Sequence, residues 1–435
     1  MKQRLKTTRS IIHQRRNMPP LPVDGVGGWS QRDNPRRRLA LSVRKYARVG
    51  GWGLILALVL VLSFPTHAQV DAPLGAPLLA FDTTAQDRIV LYDLNTGSAR
   101  DLNFGSGWHR VWGFSPDGCR IAFTLSDGLD HARLYTARID GSDRRELVRF
   151  STPLVGEWGV WEAQWSPDPV DQRIAFTLIE TQINNDGQRV QNHRIAWVTP
   201  DGGDPDFYSI SGDEHTPRWS PDGRWLAYVA YEERAAGADP LATALPEAPV
   251  TSMIREADLW VVGADGLNKT RRTTFPVGNV SMPRWSPDGD LIGFIFSPTP
   301  NNDQVWLIGT DAGATPTTLS FTDALALDLT WLPDSAAMTA ALRDFKGVRE
   351  NRLWRIPLTG VADNDAVQIA GDPDLVNMDY PRYSPDGRWL AARSAYALVL
   401  IDLSVSSWTQ FDVAYDGNTP ALWSPPGFTG ESSCA

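Results

Sequence analysis

The sequence predicts an all-β fold, a seven-bladed β-propeller of four-stranded blades, on three observations. A motif of one aromatic followed by Ser-Pro-Asp-Gly or a close variant starts at Phe114, Trp165, Trp219, Trp285, Trp331, Tyr383 and Trp423. Between copies run further apolar, turn-bounded stretches, so that each loose period holds four strands. The chain ends are also out of phase in a complementary way. LLAFD, RIVLYDL and SARDL, from Leu78 onward, read as second, third and fourth strands with no lead aromatic, whereas Trp423-Ser-Pro-Pro-Gly427 supplies a first strand and turn. Joining them in one shared blade closes the ring and removes both free edges.

Taken in order, residues 1–48 hold 13 Lys/Arg against 2 Asp/Glu and show no apolar period, which describes a basic, disordered leader. Gly51–Phe64 is an apolar run behind the basic cluster RRRLALSVRKYAR. It is shorter than the roughly 20 residues of a spanning helix, so 49–68 reads as a signal peptide cleaved after Thr66-His67-Ala68, or alternatively as a retained signal anchor. A start at Met18 would keep the same basic cluster. In either case the positive-inside rule puts the body outside the cytoplasm: secreted, periplasmic or tethered to the outer side of a membrane. Residues 69–77 form a linker, 78–427 the propeller and 428–435 a tail.

Within each period the aromatic ends the first strand, proline presets φ and Asp-Gly accepts a tight turn. A second strand follows (RIAFTL, RWLAYVA, LIGFIF), then a third (RLYTARIDG, DLWVVGADG, VWLIGTDAG) and a short fourth such as RRELVRF. The WLPDS copy lacks the glycine and precedes SAAMTAAL, poor in β-branched residues, yet stays in phase. The repeat accounts for many of the 18 tryptophans: Trp165, Trp219, Trp285, Trp331 and Trp423 lead blades, and Trp197, Trp260, Trp306 and Trp354 share a third-strand position. They are expected to pack between blades. Two insertions, Tyr231–Ala257 and Glu180–His193, are expected as loops between second and third strands. Asn184-Asn185-Asp186-Gly187 lacks the closing glutamate of a calcium loop and reads as a hairpin tip.

The lead motif PRWSPDGRWLAY with LWVVGADG downstream resembles the repeats of TolB-type (WD40-like) propellers, which also form propeller domains of prolyl oligopeptidase and dipeptidyl peptidase relatives. The resemblance covers about residues 75–427 and implies an extracytoplasmic propeller that binds protein partners at its axis. The chain differs from TolB itself in blade number, seven against six, and in showing no α/β domain before the ring.

No serine lies in a G-x-S-x-G frame, and H-E-x-x-H, C-x-x-C and phosphate-loop motifs are absent, so no catalytic residue, metal or cofactor is assigned. Beyond residue 48 the chain carries 28 Lys/Arg against 49 Asp/Glu, which disfavours nucleic acid. His109, His131, His193 and His215 are scattered over three blades, and with nearby carboxylates His109 and His215 support an alternative: a lyase or hydrolase, metal-dependent or not, acting on a glycan or peptide in the channel. Cys119 and Cys434 either form a bridge stapling the tail or stay unpaired, and a frayed terminus argues for the second. The preferred site lies just before the lead aromatics, where first strands run into the channel: Trp108, His109, Trp158, Trp161, Glu162, Asp213, Glu214, His215, Asp328 and Asp379. Aromatics beside carboxylates suit a basic or amphipathic peptide, or a sugar. The reading is a monomeric, non-enzymatic interaction module for a protein partner, touching membrane only through 49–68 if that segment is retained.

Overall fold

The computed structural model describes residues 42–46, 62–63 and 73–434, apart from 84, 128–130, 153, 155, 209–211, 236–252, 320–323, 360–361, 370–374, 396 and 415–418. Its strands run in consecutive antiparallel groups of four. Trp108–Phe114, Arg120–Ser126, Arg133–Arg138 and Arg145–Glu146 form one such blade, and Glu157–Trp165, Ile174–Ile183, Arg189–Val198 and Asp206–Phe207 the next. The order repeats from Asp213–Trp219, Asn279–Trp285, Leu325–Trp331 and Met378–Tyr383. A further sheet draws on both ends of the chain: Leu422–Trp423 pairs with Leu78–Asp82, Trp423 opposite Leu79, followed by Ile89–Asp93 and Ala99–Leu102. The all-β propeller expectation holds. Ser42–Tyr46, inside the expected leader, pairs with Ser407–Ala414, and Leu62–Ser63 pairs with it in turn. The remainder of the leader and of 49–68 lies outside the described residues, among which no helix is long and apolar enough to cross a membrane.

The turn motif explains itself atom by atom. In Ser115-Pro116-Asp117-Gly118 the Gly118 N–H donates to the Ser115 carbonyl at 2.8 Å, the Ser115 hydroxyl donates to Asp117 Oδ1 at 2.5 Å, and the Arg120 N–H donates back to Ser115 Oγ at 2.9 Å. The same three bonds recur around Ser220, Ser286 and Ser384. The last turn residue must be left-handed, hence glycine; in the WLPDS copy Ser335 takes that conformation at φ 59°.

Each apolar core lies between two neighbouring blades. Val160, Trp165 and Phe176 pack on Ala122 and Leu134 of the blade before, and Phe411 and Leu400 pack on Leu79, Phe81 and Val90. Full burial of one such side chain contributes about 1.5–3 kcal/mol. The lead tryptophans add a directed bond: the indole N–H of Trp285, Trp331 and Trp423 donates to the carbonyl of Arg218, Arg284 and Arg382 in a neighbouring blade, each at 2.9 Å. This is the packing role expected of them.

Three expectations need correction. Tyr231–Ala257 is not a loop throughout, because Trp225–Ala235 and Met253–Gly263 pair along their whole length, Ala235 opposite Met253. A ladder continues while backbone partners remain, and the breakers Pro240, Pro246 and Pro249 all fall in 236–252, outside the described residues. Glu180–His193 is likewise paired strand up to Ile183 and Arg189, while Asn184–Gly187 is the hairpin tip expected, the Asn184 N–H donating to the Gln188 carbonyl at 2.9 Å across it. Nor is the tail frayed. Glu431 accepts from the Leu74 N–H and from Arg100, each at 2.8 Å, and Cys434 is bonded to Cys119 with S–S 1.99 Å.

Candidate functional site

Every first strand that leads into a lead aromatic from Phe114 to Tyr383 is bulged, and the bulges aim side chains at one place. Pairing shifts between Val111 and Gly113, Trp161 and Gln164, His215 and Arg218, Ser281 and Arg284, Ala326 and Asp328, and Asp379 and Arg382. In four of these the residue three before the aromatic is left-handed: Glu162 (φ 53°), Thr216 (56°), Met282 (51°) and Tyr380 (51°). A bulge bends its strand and redirects what it carries. Here the strands converge on a cavity of about 330 Å³ that takes Val111, Glu162, Thr216, Met282, Asp328, Tyr380 and Leu422 from successive blades.

The charge in that cavity is not the free acid expected. Asp328 is buried and holds Arg382 at 2.9 Å and Arg284 at 3.6 Å, while Glu162 faces Arg218 at 3.8 Å. Asp379 is clamped by Arg393, and Glu214, also buried, by Lys269 at 3.1 Å. Three arginines against two carboxylates leave the lining cationic. Burial, and then the repulsion of Arg218 and Arg382, pushes Arg284 down to about 9; burial also lowers Arg218, and it raises Asp379 against the pull of Arg393. The signal was present in the sequence: Pro217-Arg218, Pro283-Arg284 and Pro381-Arg382 stand in one register before three lead aromatics. Attention to acids and aromatics passed over it.

The other expected site residues divide. Trp108 is 45% exposed at the leading end of its strand, and Trp161, 40% exposed, stands edge-on to Trp112 with the Arg110 guanidinium 4.3 Å from its ring. Trp158 is engaged internally, between Arg133 at 3.6 Å and Phe150 at 5.0 Å. His109 is fully buried; its Nε2 accepts the Phe104 N–H at 3.0 Å, leaving Nδ1–H for the Gly107 and Gln86 carbonyls, and burial lowers its pKa.

His215 does find a histidine, but not His109. His193, on a third strand, sits beside the first strand of the next blade through the parallel bridge His193–Asp213. Asp213 Oδ1 lies 2.7 Å from His215 Nε2 and 2.8 Å from His193 Nδ1, which is buried without an aligned hydrogen bond. The Arg255 guanidinium contacts the other oxygen of Asp213. One ligand-type atom from each of His193, Asp213 and His215 falls within 4.8 Å of the others, the only such trio among the described residues. Burial, His215 and Arg255 push His193 down to about 4, and burial lowers His215. Neutral imidazoles beside a carboxylate are the donor set of a divalent transition metal.

No family model matches the chain. Among curated proteins it is similar to the uncharacterized peptidase YuxL of Bacillus subtilis, 24% identical over 231 residues, 53% of this chain and 29% of that one. It is also similar to the Tol-Pal system protein TolB 1 of Novosphingobium aromaticivorans, 31% identical over 98 residues, 22% of this chain and 17% of that one. The matches span less than half the length of these relatives. Solved structures of the same fold include a prolyl endopeptidase (12% identity, TM-score 0.52, 79% of this chain and 51% of that one). An oligogalacturonate lyase in complex with manganese shares it as well (14%, TM-score 0.50, 78% and 90%). Such likeness shows the propeller fold alone and carries no activity with it.

Proposed function

We propose that the chain is an extracytoplasmic, seven-bladed propeller, closed in the sheet shared by its two ends, that acts as a non-enzymatic interaction module for a protein partner. Residues 49–68 serve as its targeting segment. The observation that carries the reading is the clustering on one face. The leading ends of the first strands and the hairpins joining second to third strands emerge on the same side, since Glu157 pairs with Thr181 and Asp213 with Tyr231. That side presents Trp108 and the exposed Ile183 and Val190 of a long hairpin, above the cavity that Trp161 lines. Half-exposed aromatics on a rigid frame are the usual anchors of an interface. The disulfide supports the location, because such bonds persist in oxidising compartments.

A photo-crosslinking residue placed at Trp108 or Ile183 in living cells is expected to trap one discrete partner, and the same residue at Asp222, in an opposite-face turn, none. Trp108→Ala with Trp161→Ala should weaken capture at least about fivefold, roughly 1 kcal/mol. Crosslinks from Asp222 alone, or unchanged capture by the double variant, would place the function elsewhere. Trp158 is unsuitable as a probe, since its truncation would first loosen Arg133 and Phe150.

The His193, Asp213 and His215 trio favours a second reading, a metal-dependent enzyme acting in the channel. Protein exposed to manganese or zinc and desalted should then retain about one equivalent by elemental analysis, and His193→Gln with His215→Gln should abolish it. Metal-free protein, or equal retention by that variant, removes the reading.

A further inference from the structure

We propose that the axial cavity is a binding site for a small oxyanion, a carboxylate or phosphate group, held by Arg218, Arg284 and Arg382. The inference is separate from the partner face, resting on buried charge and not on exposed aromatics. Three guanidinium groups enter one cavity from one register of three first strands, and only two carboxylates, Glu162 and Asp328, enter with them. Asp328 is committed to Arg382 at 2.9 Å and reaches Arg284 only at 3.6 Å; Glu162 reaches Arg218 only at 3.8 Å. Both longer contacts exceed hydrogen-bond range. The guanidinium groups of Arg218 and Arg284 each donate to the carbonyl of the preceding proline, at 2.8 and 3.4 Å. About a fifth of each side chain stays accessible, and both residues line the cavity. A planar guanidinium offers two parallel donors matched to two oxygens of a carboxylate or phosphate. An oxyanion between Arg218 and Arg284 would take up those donors, relieve the repulsion among the three cations and neutralise the surplus positive charge. The volume of about 330 Å³ admits a group of that size with several attached atoms, against a wall that includes Trp112, Trp161 and Tyr380.

Isothermal titration calorimetry of the purified protein with citrate and with inorganic phosphate, at constant ionic strength, tests this. One-to-one binding of either probe is expected, and the preferred probe tells which group the site takes. Arg284→Gln and Arg218→Gln should weaken that binding at least tenfold, Arg284→Lys less so, and Arg224→Gln, at a site with an 82% exposed side chain, not at all. Should the glutamine variants fail to fold, wild-type protein treated with phenylglyoxal and mapped by mass spectrometry keeps the question decidable: the bound probe should protect Arg218 and Arg284 but not Arg224. No binding of either probe, binding unaltered in the glutamine variants, or equal modification of these arginines with and without probe would overturn the site.

Discussion

Truncation after Gly417 is expected to abolish folding. The lost segment pairs Leu422–Trp423 with Leu78–Asp82, exchanges backbone and hydroxyl bonds between Ser424 and Leu78 at 2.9 and 3.0 Å, and donates from Thr419 to the buried Asp82 at 2.7 Å. It also removes the indole bond from Trp423 to Arg382 and the bridge to Cys119. Together these exceed about 5 kcal/mol, the lower end of what a whole domain has to spare. The comparison that isolates closure from crosslinking is full-length Cys434→Ser, which should lose only about 2–5 kcal/mol in urea unfolding. A truncated chain that unfolds at the same urea concentration as Cys434→Ser would mean that the shared sheet contributes nothing.

Asp328→Asn is the second large effect, a loss of about 3–5 kcal/mol. Asp328 is 1% exposed, bonds Arg382 and the Leu329 N–H, and lies 3.6 Å from Arg284. Removing one partner of a buried pair leaves the other charge uncompensated. The substitution also raises the cavity's positive surplus, so citrate or phosphate should restore more thermal stability to Asp328→Asn than it adds to the wild type. A variant as stable as wild type would show that Asp328 does not hold the arginines in place.

What could be read in advance divides by the range of the interaction. Ser-Pro-Asp-Gly is a local device whose bonds close within five residues, so the turns and the strands they separate were legible, Ser335 included once its phase was respected. The shared sheet was legible because a free edge must be covered. The candidate site was legible only in part: Trp161, Glu162 and Asp328 do line the cavity, but the charged partners come from far away in the chain, since Lys269 reaches Glu214, Arg382 reaches Asp328, and His193 meets His215 only through a bridge between blades. Acidic residues listed by position look like a negative channel until the arginines one place before the aromatics are turned inward with them. The same distance effect hid the tail, where Cys434 looked frayed because Glu431, Leu74 and Arg100 meet only in the fold.

Glu162, Thr216, Met282 and Tyr380 occupy one geometric position although one is an acid, one an alcohol, one a thioether and one a phenol. None is glycine, and each holds a backbone conformation that costs an ordinary residue about 1 kcal/mol or more. The frame therefore imposes the geometry and leaves the chemistry free, like identical sockets that accept different plugs. Exchanging side chains among these positions would change the chemical lining of the axial cavity while leaving the scaffold unchanged, a modular alphabet with a fixed place for each letter.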